Sequence, residues 1–375
     1  MMNLSKSIDF LLENAGVVIQ YRLRKEILRN ITSSEEEKLL EQIYQTPNFK
    51  LVESYAKPNG YIGSGMHSWD NWRGRVLHRT PLEDGETAAR LLSYYAIPKT
   101  HPIVANFVAA MRDEEILRHE FSYISPEMSR YNDRFIGMSC GFSLMILIYT
   151  MRAMLGYGDD TDDVKEFQKV CLKGFERILE INSIDDITKT RQSKSKYNYP
   201  YIEADEFFPC SYSLATLAYT HSWRSAGNGI LLADALNRIN EIMKSDCNMH
   251  VKVNGKYYAP LFALNRPLRA FRYNLVDSIL YRRLLTEIAM LGVSRRVDVI
   301  RESAVNIEEA ISADGILRID LASPHNRRYS PKNIEYPTPY TDVRLEPDYK
   351  RKYAFECDLT FWAVQFLNLV EGIEI

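Results

Sequence analysis

The chain has 375 residues and a mass of 43.5 kDa; 46% of its residues are apolar, 26% are charged, and its formal net charge is −2. This balance excludes an intrinsically disordered chain, and it lacks the global basic field needed to coat nucleic acid or an anionic membrane. At such a length roughly three quarters of the unfolded surface is buried on folding, so a single large core is within reach.

The first 13 residues hold one lysine and no long apolar stretch, so no signal peptide is expected there. Helical spacing predicts a helix pair at 17–28 and 35–44, with Ser33 or Ser34 capping the second. His67-Ser-Trp-Asp-Asn-Trp-Arg73 then places two of the four tryptophans in a connection. Such a loop suits stacking on a sugar or an aromatic ligand, and it equally suits plugging the end of a helical fold. Glu83-Asp-Gly-Glu-Thr-Ala88 opens a helix that ends at Tyr95, and apolar Val104 follows nine residues later in its partner.

The segment 138–155 is apolar on most faces. Its centre, Phe142 to Tyr149, reads like membrane, but Arg152 interrupts it well short of the ~20 residues a span requires, so it predicts a buried helix. Its partner is striped instead, with Val164, Phe167, Cys171, Phe175 and Ile178 on one side. Further helix ends fall at Trp223 and Leu291-Gly292. The anchors at 155, 223 and 291 are 68 residues apart, and each is followed nine residues later by an apolar residue, Val164, Leu232 or Ile300. Tyr95 lies 60 residues before the first anchor. Periods of this size denote stacked supersecondary units, here helical hairpins. All-round apolar first helices and striped second helices predict an inner and an outer ring.

The connections from outer helix to next inner helix are long, at about 181–208, 246–273 and 314–353, and gather at one end of such a ring. They carry Tyr197-Asn-Tyr-Pro-Tyr201, Tyr257-Tyr-Ala-Pro260 and Tyr336-Pro-Thr-Pro-Tyr340, and the Asn-Gly within 251–257 predicts a tight hairpin. The last helix, 354–370, has no partner after it. The expected fold is therefore all-α: a single domain over residues 1–375, an α/α toroid of five to six hairpins, with an open solenoid as the alternative.

Four segments resemble the terpenoid cyclase/protein prenyltransferase toroid superfamily, and more closely its uncharacterised bacterial prenyltransferase/squalene-cyclase repeat proteins. They are Leu155-Gly-Tyr-Gly-Asp-Asp160, Phe271-Arg-Tyr-Asn-Leu-Val276, Ala313-Asp-Gly-Ile-Leu317 and Pro209-Cys-Ser-Tyr-Ser-Leu-Ala-Thr-Leu217. The resemblance implies the toroid and an apolar, isoprenoid-like small molecule as ligand or substrate. It does not carry over the family's chemistry. Asp160-Thr-Asp-Asp163 matches the acid motif of squalene-hopene-type cyclases, but it lies in the short turn after an inner helix, where helix capping is the expected role. Cys210 stands where the zinc-dependent prenyltransferases have a ligand, yet Asp205 is five residues earlier and no histidine lies in the last helix. No metal and no cofactor are therefore expected.

Acidic clusters recur where inner helices begin: Asp84 and Glu86, Asp205 and Glu206, Glu356 and Asp358. Carboxylates converging on one mouth repel, which raises at least one pKa and pairs an acid with an ionised base; the plain alternative is that each meets a helix dipole. These six are the candidate catalytic residues, and His67, Trp69, Asp70, Trp72, Arg272 and Tyr273 are the candidate ligand-binding residues. Arg272 closes the basic group Arg266, Arg269 and Arg272, suited to holding a phosphate or carboxylate or to pairing with the acidic clusters. A carbohydrate-active toroid with paired carboxylates is the alternative function, and a non-catalytic structural or partner-binding toroid is the third. No nucleic-acid partner and no membrane span are expected. Five cysteines, odd in number and without a C-x-x-C, point to a reducing cytoplasm.

Overall fold

A computed structural model describes residues 4–66, 80–120, 145–190, 199–243, 247, 249–253, 255–258, 264–272, 277–319, 343–348 and 350–372. Among them stand fourteen α-helices and one three-stranded sheet. The chain divides into two compact units, both discontinuous in sequence. The first comprises Met1–Ile116, Ala270–Thr286 and Ile300–Gly372; the second is built mainly from Leu117–Arg269 and Glu287–Val299. No helix among the described residues is long and apolar enough to cross a membrane.

In the second unit the contrast between all-round and striped helices appears as burial. Every residue of Ser211–Ala218 is buried, as are residues 146–152 of the helix Met145–Arg152. The 19-residue helix Asp162–Glu180 instead buries the predicted stripe, Val164, Phe167, Cys171, Phe175 and Ile178, together with Gln168 and Gly174. It packs along Ala226–Ile242, while Met145–Arg152 packs against Ser211–Ala218, where the Thr150 and Thr216 hydroxyls meet at 3.0 Å. Successive repeats are stitched at their turns. Asp159 accepts from the backbone N–H groups of His221 and Ser222, and Arg224 donates to the Met290 carbonyl at 2.8 Å. These links join positions 62 to 66 residues apart, the same scale as the sequence period.

The long connections of this unit contain the sheet. His250–Val253 (β2) and Lys256–Tyr258 (β3) form the predicted antiparallel hairpin, with Gly255 at φ +76° in its turn. Tyr201–Glu203 (β1) joins β2 in parallel, which sequence reading did not anticipate.

In the first unit the earliest and latest helices are neighbours. Ser5–Asn14 and Val17–Arg22 both pack on Ala354–Glu371. The Phe10–Tyr353 ring pair lies at the start of that last helix, and the first helix is also tied to the turn after Asp298–Ala310, by Lys6 Nζ to the Ala313 carbonyl (2.7 Å) and Ser7 Oγ to the Gly315 carbonyl (2.6 Å). The cap of Ser33–Tyr44 is Thr32, not Ser33 or Ser34. Thr32 Oγ1 accepts from the Glu35 N–H while the Glu35 carboxylate accepts from the Thr32 N–H, a reciprocal capping box. Pro47 at the first turn starts a further helix, Pro47–Ser54.

Left-handed residues mark the helix ends at the repeat spacing. Arg29 (φ 51°) and Ala96 (φ 52°) are 67 residues apart, Gly156 (φ 83°) follows after 60, and Gly292 (φ 77°) after two further periods of 68. At Ala96 the Ile97 N–H reaches back to the Leu92 carbonyl at 3.0 Å, the bond that closes a Schellman-type helix end. Glycine suits this conformation and alanine is strained in it. Ala96→Gly should therefore raise stability by about 0.5–1 kcal/mol, after allowing for glycine's greater unfolded-state entropy. A lowered midpoint in urea would contradict this.

Candidate functional site

Four of the six candidate catalytic carboxylates, Asp84, Glu86, Glu356 and Asp358, belong to the first unit; Asp205 and Glu206 belong to the second. His67, Trp69, Asp70, Trp72 and Tyr273 lie outside the described residues. So does the Tyr336 to Tyr340 loop.

Asp84 is fully buried at the start of Gly85–Tyr94, where it takes the Thr87 N–H at 2.8 Å on one oxygen and the Thr87 hydroxyl at 2.7 Å on the other. It is a helix cap, the plain alternative that its place at a helix start offered. Glu86, in the first turn of the same helix, is also fully buried and pairs with Arg90 at 3.0 Å, four residues further along.

Asp358, in the second turn of Ala354–Glu371, receives Arg282 at 3.2 Å and the Leu345 N–H at 3.0 Å on separate oxygens. Beside it stands a residue that sequence reading missed. Glu346 is 1% exposed, and its two oxygens accept the Gly16 N–H at 2.6 Å and the Arg351 guanidinium at 2.7 Å. Burial holds the Glu346 carboxyl above its ordinary range against these donors, and the charge of Asp358 pushes in the same direction. The Tyr95 hydroxyl, raised chiefly by burial, also feels both carboxylates. Cys357 is pushed up to about 12 by burial and by Glu346. A raised carboxyl beside an ion-paired one is the arrangement anticipated for converging acids, but all four oxygens of this pair are already held by protein donors. Glu356 is partly exposed in the first turn of the same helix, and Arg272 is exposed and pairs with Glu302 at 3.3 Å.

In the second unit Asp205 is exposed, while Glu206 pairs with Arg177 at 2.6 Å, which also holds Glu180. The cyclase-like Asp160-Thr-Asp-Asp163 turn is bound from behind. Arg152, 2% exposed, grips both oxygens of Asp163 at 2.6 and 2.9 Å and donates to the Thr161 hydroxyl at 2.9 Å. Burial opposes the ionised form of Asp163, yet the Arg152 contacts outweigh it and hold the carboxyl below its ordinary range. The side chain is thus fixed as an anion by its partner. Cys210 is a buried helix cap whose sulfur lies 3.4 Å from the Ser213 hydroxyl, and burial raises its thiol. Among the described residues no group of three or more His, Cys, Asp or Glu side chains is arranged to hold a metal ion.

The arginine partners and Glu346 had little local signature. The Glu86/Arg90 pair could have been read from its four-residue spacing, whereas Arg282 meets Asp358 across 76 residues and Glu346 meets Gly16 across 330. The chain matches no family model, no curated protein and no solved structure.

Proposed function

We propose that the chain is an α/α toroid that binds an apolar, isoprenoid-like small molecule and does so without acid–base chemistry from its buried carboxylates. The toroid rests on the 68-residue spacing of helix ends and on the contrast between all-round buried and striped helices, which stacked hairpins produce. The apolar ligand class rests on the resemblance to the toroid superfamily. One observation carries binding over turnover: Asp84, Glu86, Glu346 and Asp358 are buried and occupied by donors from their own unit, which makes them struts of the scaffold. A general acid or base must instead reach the substrate with a free position. The odd number of cysteines and the lack of a C-x-x-C support placement in a reducing cytoplasm.

The test is a thermal-shift series with farnesol, geranylgeraniol and maltohexaose, followed by product analysis. Isoprenoid alcohols should raise the melting temperature of the wild-type protein and of Glu86→Gln alike, with no product formed. Turnover that disappears in Glu86→Gln would overturn the reading in favour of carboxylate catalysis. Absence of any shift would leave a structural or partner-binding toroid.

A further inference from the structure

The small sheet of the second unit gathers two of the aromatic loops singled out in the sequence, and neither takes part in the carboxylate network of the first unit. Register fixes its two faces. Ile202 and Val251 pair on the inner face and are fully buried. Tyr201 pairs with His250, and Glu203 with Lys252, which in turn pairs with Tyr257; these five side chains share the outer face. All five are partly exposed. The Tyr201 and Tyr257 rings meet edge to face at 5.0 Å, and Tyr199, just before β1, lies 5.2 Å from His250, so two ring pairs flank this face.

The polar groups around the rings decide what the surface can hold. Glu203 sits between two lysines, 3.2 Å from Lys189 and 3.5 Å from Lys252, and the Lys252 ammonium also lies 5.2 Å from the Tyr201 ring centre. The position an incoming phosphate would take between these lysines is filled by the protein's own carboxylate. An anionic ligand would have to displace it. What remains is a set of aromatic rings bordered by ammonium, imidazole and phenol donors and by one carboxylate acceptor, which already neutralises one of the two lysines. A neutral sugar presents the complementary features: apolar C–H groups on the ring face, which meet the negative face of an aromatic ring, and hydroxyls at the rim that both donate and accept.

We propose that the outer face of this sheet is a binding site for a neutral oligosaccharide, stacked on Tyr201 and Tyr257 and held at its hydroxyls by Glu203, Lys252 and His250. The site lies within one unit and does not depend on the ring or on the isoprenoid ligand proposed above.

The test uses the full chain, with maltohexaose, cellohexaose and chitohexaose as probes and uridine monophosphate as the anionic comparator, followed by saturation-transfer NMR and titration calorimetry. At least one hexasaccharide should bind, and Tyr257→Ala, on the edge strand, should weaken that binding at least tenfold with an unchanged melting temperature. Should Tyr257→Ala disturb folding, Tyr257→Leu keeps the bulk, removes the aromatic face, and should show the same loss. Binding of the nucleotide without any saccharide would overturn the proposal. So would saccharide binding indifferent to both Tyr257 variants, or no binding of any hexasaccharide.

Discussion

Asp358→Asn should lower folding stability by about 3–5 kcal/mol, the usual loss when one member of a buried ion pair is removed. The side chains keep nearly the same volume, and asparagine can still accept from the Leu345 N–H. What disappears is the negative charge of Asp358 opposite Arg282, whose side chain is 6% exposed. Arginine does not discharge by losing a proton, so its buried guanidinium loses the favourable charge of Asp358. Urea denaturation measures the loss. Pairing the change with Arg282→Met should recover part of it, because an apolar replacement removes the buried charge. A loss below about 1 kcal/mol for the single variant would show that Asp358 is not the counter-charge the geometry makes it.

Gly63→Ala should be of similar severity for a different reason. Gly63 has φ +70°, and a Cβ there would lie 1.7 Å from the Glu83 carbonyl oxygen and 2.5 Å from its carbon. The obstacle is backbone on both sides, for Gly63 donates to the Tyr55 carbonyl, Ser64 to Glu83, and Gly85 to Gly65. Left-handed strain alone costs about 1–2 kcal/mol. Moving the 83–85 backbone aside also displaces Asp84 from the Thr87 N–H, so a total loss of about 3 kcal/mol or more is expected. A thermal melt gives the loss, and faster hydrogen exchange at the Thr87 amide would locate it. An unchanged melt would mean that the two segments separate freely.

These effects also show what could be read in advance. The stripe on Asp162–Glu180 and the hairpin at 250–258 were legible, because a helical period and an Asn-Gly turn are local signals. Glycine announced the helix ends at 156 and 292. The matching left-handed ends at Arg29 and Ala96 were hidden, since the backbone there is imposed by neighbouring packing against the residue's own preference. Thr32 prevailed over two adjacent serines because its hydroxyl and Glu35 complete a reciprocal cap, a matter of a one-residue shift. The acidic residues at helix starts were visible, but their meaning was not. The cap that Asp84 makes on Thr87 is local, but pairing with Arg282 and crowding by Glu346 depend on which distant segments fold against the helix start. A three-residue strand such as Tyr201–Glu203 carries no readable period, and only its partner His250–Val253 defines it.

The bonds that join Lys6 to Ala313, Ser7 to Gly315 and Gly16 to Glu346 span more than 300 residues each, which bears on how the molecule comes into being. A ribosome delivers the first two helices long before the surface that receives them. At ~5–20 residues per second the interval is on the order of tens of seconds. Meanwhile 117–269, a contiguous stretch, has emerged whole and can assemble. The apolar faces of Ser5–Asn14 and Val17–Arg22 must wait, exposed to water and to other nascent chains, until Ala354–Glu371 arrives. The order of synthesis thus leaves these two helices unpartnered longest, so the yield of native protein should depend on translation rate as well as on final stability.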